Sequence, residues 1–189
     1  MAGGWVTRWR VRAGYPLAIV YIFLATPSAM LIAAGGAIAV IGLVIRAAAA
    51  GNLRKLETLT TSGTYSWTRN PLYFGSSFLV AGFAVAGGSV WSALVIIAYF
   101  LIFYPAVMRK EEAELRARYG AAFDAYAARV PLFFPRPPNR IERTSLDANG
   151  GSFSWRQYRR NREYQAGLGT VGALALVWLR MYVRQRFGR

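Results

Sequence analysis

Apolar residues fall in five runs along this chain of 189 residues, and polar or charged stretches separate them. The first run, residues 15–26 (YPLAIVYIFLAT), follows Arg8, Arg10 and Arg12 and closes at Pro27. It is shorter than the roughly 20 residues that cross a hydrocarbon core. A basic start, a short apolar stretch and the small residues of ATPSA also fit a signal peptide. The second run, residues 28–50, has membrane-helix composition interrupted only by Arg46, and Gly35, Gly36, Ala39 and Gly42 recur at spacings that let a neighbouring helix backbone approach closely. Residues 71–108 hold the third and fourth runs, joined by Gly87-Gly88-Ser89, and read as a membrane hairpin whose first helix opens at Pro71.

Residues 109–129 change period. Glu112, Leu115, Tyr119, Phe123 and Tyr126 recur at steps of three and four, the pattern of an amphipathic helix, which Val130-Pro131 stops. Residues 136–165 are rich in Pro, Gly, Ser, Asn and Arg and predict a basic loop with a short helix at 153–164. The last apolar stretch, within residues 166–183, has arginines on both sides, and a fifth span and a helix lying in the interface fit it equally.

Composition agrees with a bilayer as solvent: 55% of residues are hydrophobic and 15% aromatic. The chain has 23 basic against 8 acidic side chains, a formal charge of +15 that would suit nucleic acid or anionic lipid. Position decides between them. Arg8, Arg10 and Arg12 precede the first run, Arg46, Arg54, Lys55 and Arg69 lie between the second and third, and Arg109 and Lys110 follow the fourth, while the intervening turns at 27 and 87–89 carry no basic residue. This is the positive-inside alternation, so no nucleic-acid partner is expected. Without Cys or His, the chain has no thiol nucleophile, imidazole base or zinc cluster to offer. No internal repeat is evident.

The polarity that remains gathers near the cytoplasmic ends of the third and fourth runs. In TSGTYSWTRNPLYFG (residues 61–75), Arg69 and Asn70 stand at a helix start, where backbone N–H groups and the dipole favour a carboxylate or phosphate. A loop arginine snorkelling to lipid headgroups fits the same segment. Glu111 and Glu112 follow the fourth run at the membrane boundary and invite a cationic partner, although i,i+4 pairing of Glu112 with Arg116 also accounts for them.

Taken together, these positions resemble a known family. Gly63, Tyr65, Arg69, Pro71, Tyr73 and Gly75 fit the G-x-Y-x-x-x-R-H-P-x-Y-x-G pattern of the isoprenylcysteine carboxyl methyltransferases and their phospholipid methyltransferase relatives. Glu111, Glu112, Leu115, Tyr119, Gly120, Phe123, Tyr126, Val130 and Pro131 fit that family's second pattern, E-E-x-x-L-x-x-x-[FY]-G-x-x-[FY]-x-x-Y-x-x-x-V-P. The resemblance extends over about residues 28–135. One departure is Asn70 in place of the family's usual histidine; an amide donates a neutral hydrogen bond but does not titrate near neutrality.

The apolar runs predict a single all-α membrane domain over residues 1–189, a polytopic bundle of four to five transmembrane helices, to which the resemblance adds a cytoplasmic cofactor pocket. The resemblance also implies a methyltransferase that uses S-adenosylmethionine and draws a lipophilic or amphiphilic acceptor, a small molecule or a lipid, from the bilayer. Cofactor binding would fall to Tyr65, Arg69, Asn70, Pro71, Tyr73, Gly75, Glu111, Glu112, Tyr119 and Tyr126. Arg69 would take the cofactor carboxylate and a glutamate its ammonium, with tyrosines facing the sulfonium; the alternative for the tyrosines is an interfacial belt. Arg129 and Glu112 would be catalytic, Arg129 orienting the acceptor, with a break near Gly120 folding residues 123–129 back as a lid. Without histidine, a carboxylate or thiolate acceptor is favoured over a lipid amine. High Arg and Ala with little Lys fits a high-GC bacterial genome, hence a bacterial inner membrane with the site facing the cytoplasm. A non-catalytic scaffold of the same fold and an NADPH-dependent membrane reductase are the alternatives.

Overall fold

The computed structural model describes residues 3–54, 58–138 and 153–187, with side chains from residue 12 onward. Lys55 and residues 139–152 of the expected 136–165 loop lie outside the described residues, as do the side chains of Arg8 and Arg10. Among the described residues the secondary structure is entirely helical: α1 (Gly3–Leu24), α2 (Ala29–Asn52), α3 (Pro71–Ala86), α4 (Val90–Tyr119), α5 (Ala121–Arg129), α6 (Trp155–Arg160) and α7 (Tyr164–Phe187), with a 3-10 turn at Gly63–Ser66. By length and composition α2, α4 and α7 could each cross a membrane, and Arg12–Leu24 and α3 are shorter apolar helices.

Three boundaries differ from the sequence reading. The first run does not begin a helix at residue 15; α1 starts at Gly3 and continues through Pro16, because nothing in the arginine-rich stretch before it breaks the helix. The amphipathic stretch at 109 is no separate element either. It continues α4, which runs unbroken for 30 residues through Pro105. The last apolar stretch sits inside a helix of 24 residues, longer at both ends than its apolar part.

The chain divides into two compact units. The first comprises Met1–Gly42, Ser77–Val107 and Gly167–Arg189. Its core joins Tyr21, Ala86 and Val177, with Phe83, Ile96 and Leu174 packed around them. Gly35 and Gly82 make the backbones of α2 and α3 touch: a Cβ on either would strike the other's carbonyl oxygen, so the glycine spacing serves helix packing. The turns at either end of the α1–α2 and α3–α4 pairs are tied together. Thr26 donates its N–H to the Gly87 carbonyl (2.8 Å) and its hydroxyl to the Gly88 carbonyl (2.7 Å). Arg180 and Arg184 of α7 donate to the carbonyls of Phe23 (3.0 Å) and Ala25 (3.4 Å), meeting acceptors that the end of α1 leaves without helical partners.

The second unit comprises Leu43–Ser76 and Met108–Ala166. Its apolar centre is Phe123, Tyr126 and Val130, against which Leu59, Tyr119 and Ala127 pack. These side chains meet because the helix breaks at Gly120, which adopts φ 51° and ψ −127°, a combination only glycine reaches cheaply. Across the break Arg116 pairs with Asp124 at 2.7 Å and lies over the Phe123 ring, folding α5 against the end of α4.

Two outcomes follow from these elements. Gly120→Ala should lower the unfolding midpoint, costing about 1–3 kcal/mol although no atom obstructs a Cβ there, whereas Gly167→Ala, in open space inside a helix, should be neutral or stabilising; thermal unfolding in detergent measures both. Single cysteines at the exposed Val90 and Phe134 should be labelled by an impermeant thiol reagent from opposite sides of the membrane, since the parent chain has no Cys. Equal labelling of both from one side would remove the membrane hairpin.

Candidate functional site

Residues 61–71 and 130–136 form the frame of the site, clasped without a sheet. The Arg69 N–H donates to the Pro131 carbonyl and the Arg136 N–H to the Trp67 carbonyl, each at 2.9 Å. Between these bonds the fully buried Thr68 donates its hydroxyl to the Phe133 carbonyl (3.0 Å) and accepts from the Asn70 N–H (3.3 Å). The Asn70 side-chain amide donates to the Leu132 carbonyl at 3.0 Å. At this position, then, a neutral donor is engaged in holding the chain.

A second tie comes from α5. The Tyr126 hydroxyl donates to the Tyr65 carbonyl at 2.7 Å, and both rings are buried. Burial pushes both phenols well above the usual tyrosine range, so neither is suited to act as a base near neutrality. Gly63 enters the 3-10 turn at φ 61°, where a Cβ would collide with the Asn52 side chain at the end of α2.

Against this frame the ionised groups of the two motifs pair. Arg69 Nε lies 3.1 Å from Glu112 Oε1, with the side chains 15% and 17% exposed. Both atoms are buried, and the contact is not aligned as a hydrogen bond, which leaves Nε and Oε1 without a hydrogen-bond partner. Glu112 therefore turns to Arg69 instead of pairing along its own helix with Arg116, which goes to Asp124. The Tyr73 hydroxyl donates to Glu111 Oε1 at 2.6 Å. Pro71 is fully buried as the first residue of α3, and Gly75 is buried one turn on.

The expected site residues thus meet in three pairs, Arg69 with Glu112, Tyr73 with Glu111 and Tyr65 with Tyr126. Tyr119 packs in the apolar cluster beneath α5. Arg129 is exposed at the end of α5, its carbonyl accepting from Arg136 at 2.6 Å. Sequence reasoning missed the cleft beside the frame, a space of about 440 Å³ lined by residues that include Asn52, Thr64, Ser66, Trp67, Thr68 and Phe74. No charged side chain lines it. The hydroxyls interleaved with aromatics in TSGTYSWT were the available signal; what hid it was the contribution of Asn52 from α2.

Secondary structure that is helical throughout the described residues, apolar spans, and a largely buried ion pair linking the loop before α3 to the later turns of α4 together define the class of protein. Residues 29–122 match the phospholipid methyltransferase family, and that segment is a member of it. Two metal-resistance proteins are similar to this chain over 83 residues at 40% identity: the nickel-cobalt-cadmium resistance protein NccN of Alcaligenes xylosoxydans xylosoxydans and the cobalt-zinc-cadmium resistance protein CzcN of Cupriavidus metallidurans. Each match covers 44% of this chain and 38% of the relative. No solved structure matches the chain.

Proposed function

We propose that the protein is an S-adenosylmethionine-dependent membrane methyltransferase acting on a lipophilic or amphiphilic acceptor at the cytoplasmic face of a bacterial inner membrane. The observation that carries this reading is the buried Arg69–Glu112 contact with an unsatisfied donor and an unsatisfied acceptor. Buried polar atoms without partners are rare in folded proteins and point to a ligand that completes them. The head of S-adenosylmethionine carries a carboxylate and an ammonium, and the two residues fit it: Arg69 would receive the first and Glu112 the second. The uncharged cleft, which shares Thr68 and Pro71 with the frame that carries Arg69, suits the nucleoside, with Thr64, Ser66 and Asn52 as hydrogen-bonding groups and Trp67 and Phe74 as ring faces.

When bound, the cofactor supplies an electrophilic methyl group. The chain's own contribution is to position and to exclude water, which suffices for an in-line displacement by an acceptor that is already an anion. The raised phenols of Tyr65 and Tyr126 are unsuited to take a proton from an amine, and Glu112 is given to the cofactor's ammonium, so a carboxylate or thiolate acceptor remains favoured over an amine. Arg129, at the end of the helix folded back by Gly120, is proposed to meet the charged end of such an acceptor. The cleft's lack of basic residues speaks against a phosphate-rich nicotinamide cofactor. The names of the relatives concern metals, but this chain has no Cys or His, and no three acidic groups are placed to hold one metal ion among the described residues. Thiolate and imidazole are the ligands that suit zinc, nickel and their neighbours, so metal binding forms no part of the proposal.

Titration calorimetry of the detergent-purified protein with S-adenosylmethionine tests the reading. Arg69→Ala and Glu112→Gln should each weaken binding by about 1.5–3 kcal/mol, the loss of a charge-assisted hydrogen bond, and wild-type affinity in both would sink the assignment. A screen of total lipid extract with labelled cofactor identifies the acceptor. With that acceptor, Arg129→Ala should lower turnover while cofactor affinity stays near wild type, because the interaction strengthens toward the transition state. Unchanged turnover would leave Arg129 as a surface arginine.

A further inference from the structure

Residues 153–164 (FSWRQYRRNREY) lie C-terminal to the family match and form a fixed platform on the end of α2. The Ser154 N–H donates to the Gly51 carbonyl at 3.0 Å, and the Asn161 side chain donates to the carbonyls of Ala50 (2.9 Å) and Leu53 (3.0 Å). Carbonyls that the end of α2 would otherwise leave unpaired are thereby satisfied. The Phe153 ring lies on Gly51, where a Cβ would collide with it. Glu163, the acidic residue of the segment, pairs with Arg46 Nε at 2.6 Å, and Arg46 Nη1 donates to Ser76 Oγ of α3 at 2.5 Å. The negative charge is therefore engaged with α2.

Arg156, Arg159, Arg160 and Arg162 are all exposed. Among them stand aromatic rings: Trp155 is 68% exposed and meets Phe153 and Tyr158 edge to face, with centroids 5.0 and 5.6 Å away. Arg162 is the one non-glycine residue with positive φ among the described residues, at 53°. It follows the cap of α6, where the Glu163 N–H returns to the Tyr158 carbonyl and the Arg162 N–H to that of Arg159. Glycine ordinarily fills this position of a helix-ending motif because it takes the left-handed conformation without strain. An arginine here accepts that strain and adds a fourth charge to the exposed set.

We propose that this platform is a binding site for the headgroups of anionic phospholipids at the membrane surface. Charge complementarity identifies the occupant: four arginines against one paired glutamate, immediately before an apolar helix long enough to span, form the basic cluster that anionic leaflets attract. The exposed Trp155 and Tyr164 supply the amphipathic rings of an interfacial belt. Docking there also bears on the proposed methyltransferase site, since the platform caps the helix that contributes Asn52 to the cleft.

Native mass spectrometry of the full chain in neutral detergent, titrated with dioleoylphosphatidylglycerol or dioleoylphosphatidylcholine, tests the proposal. Preferential retention of the anionic lipid is expected, weakening in high salt. Arg156→Gln and Arg159→Gln should each reduce phosphatidylglycerol affinity about fivefold and leave phosphatidylcholine unaffected. Arg162→Gly should raise the unfolding midpoint in phosphatidylcholine micelles by relieving the left-handed strain, yet lose about fivefold in phosphatidylglycerol affinity. Equal retention of the two lipids, an undiminished preference in the three variants, or displacement of the lipid by millimolar inorganic phosphate would overturn it. Because no step uses S-adenosylmethionine, a lipid preference that persists in a protein unable to bind the cofactor would support this site while rejecting the methyltransferase reading.

Discussion

The clasp between residues 67–70 and 131–136 is the constraint on which the arrangement of the second unit depends. A loop buried beside helices must find partners for its backbone polar groups, and there is no sheet to provide them. The chain solves this with reciprocal bonds, Arg69 to Pro131 and Arg136 to Trp67, and fills the interval with the side chains of Thr68 and Asn70. The clasp fixes the backbone on both sides of Arg69 and delivers Pro71, already buried, to the start of α3. The point from which the Arg69 side chain extends is therefore set by main-chain bonds. An exposed ion pair of two long side chains would contribute little by itself; a clasp that removes conformational freedom beforehand lets this one hold its geometry.

The clasp can close only because the chain turns back. From Glu112 a straight helix would carry residue 131 well away from residue 69, since each residue adds about 1.5 Å. Gly120 interrupts that path, and the Arg116–Asp124 pair holds the returning helix. The second motif's spacing then has a mechanical reading: acidic residues on the outgoing arm, a glycine at the bend, and Phe123, Tyr126 and Val130 on the returning arm as the buried face. The terminal Val-Pro ends α5 and presents the carbonyl that Arg69 needs.

What was legible in the sequence follows from this. The apolar runs gave the helices, because their signal is local and bilayer length sets a threshold. The two motifs singled out Arg69 and Glu112 but not that they meet, and the bend was readable from a single glycine inside an amphipathic pattern. The boundaries of α1 and α4 were not readable, because arginines and glutamates continue a helix as readily as leucine does and mark no end to it. The cleft was hidden for another reason. It takes Asn52 from α2, hydroxyls from the 3-10 turn and Pro135 from beyond the second motif, and no periodicity links positions so far apart in sequence. Asn161, which caps α2 from more than a hundred residues away, was invisible on the same ground.

The choice of Arg69 and Glu112 over an apolar pair is the remaining physical question. Burying two opposite charges that satisfy each other poorly contributes little to stability, and apolar replacements would often hold helices as well. On the proposed function, their value would lie in exchange. A ligand bearing both an anion and a cation can enter between them and replace one misaligned contact with two aligned ones. No net charge is then carried out of water, and neither protein charge is left unpaired. A ligand with a single charge would satisfy one partner and strand the other, at the cost of an uncompensated buried ion. On the proposed reading, a partly buried pair that is close but unbonded would select for a zwitterion by what it would cost anything else, and the cleft lined by the same frame would add no counter-charge to weaken that selection.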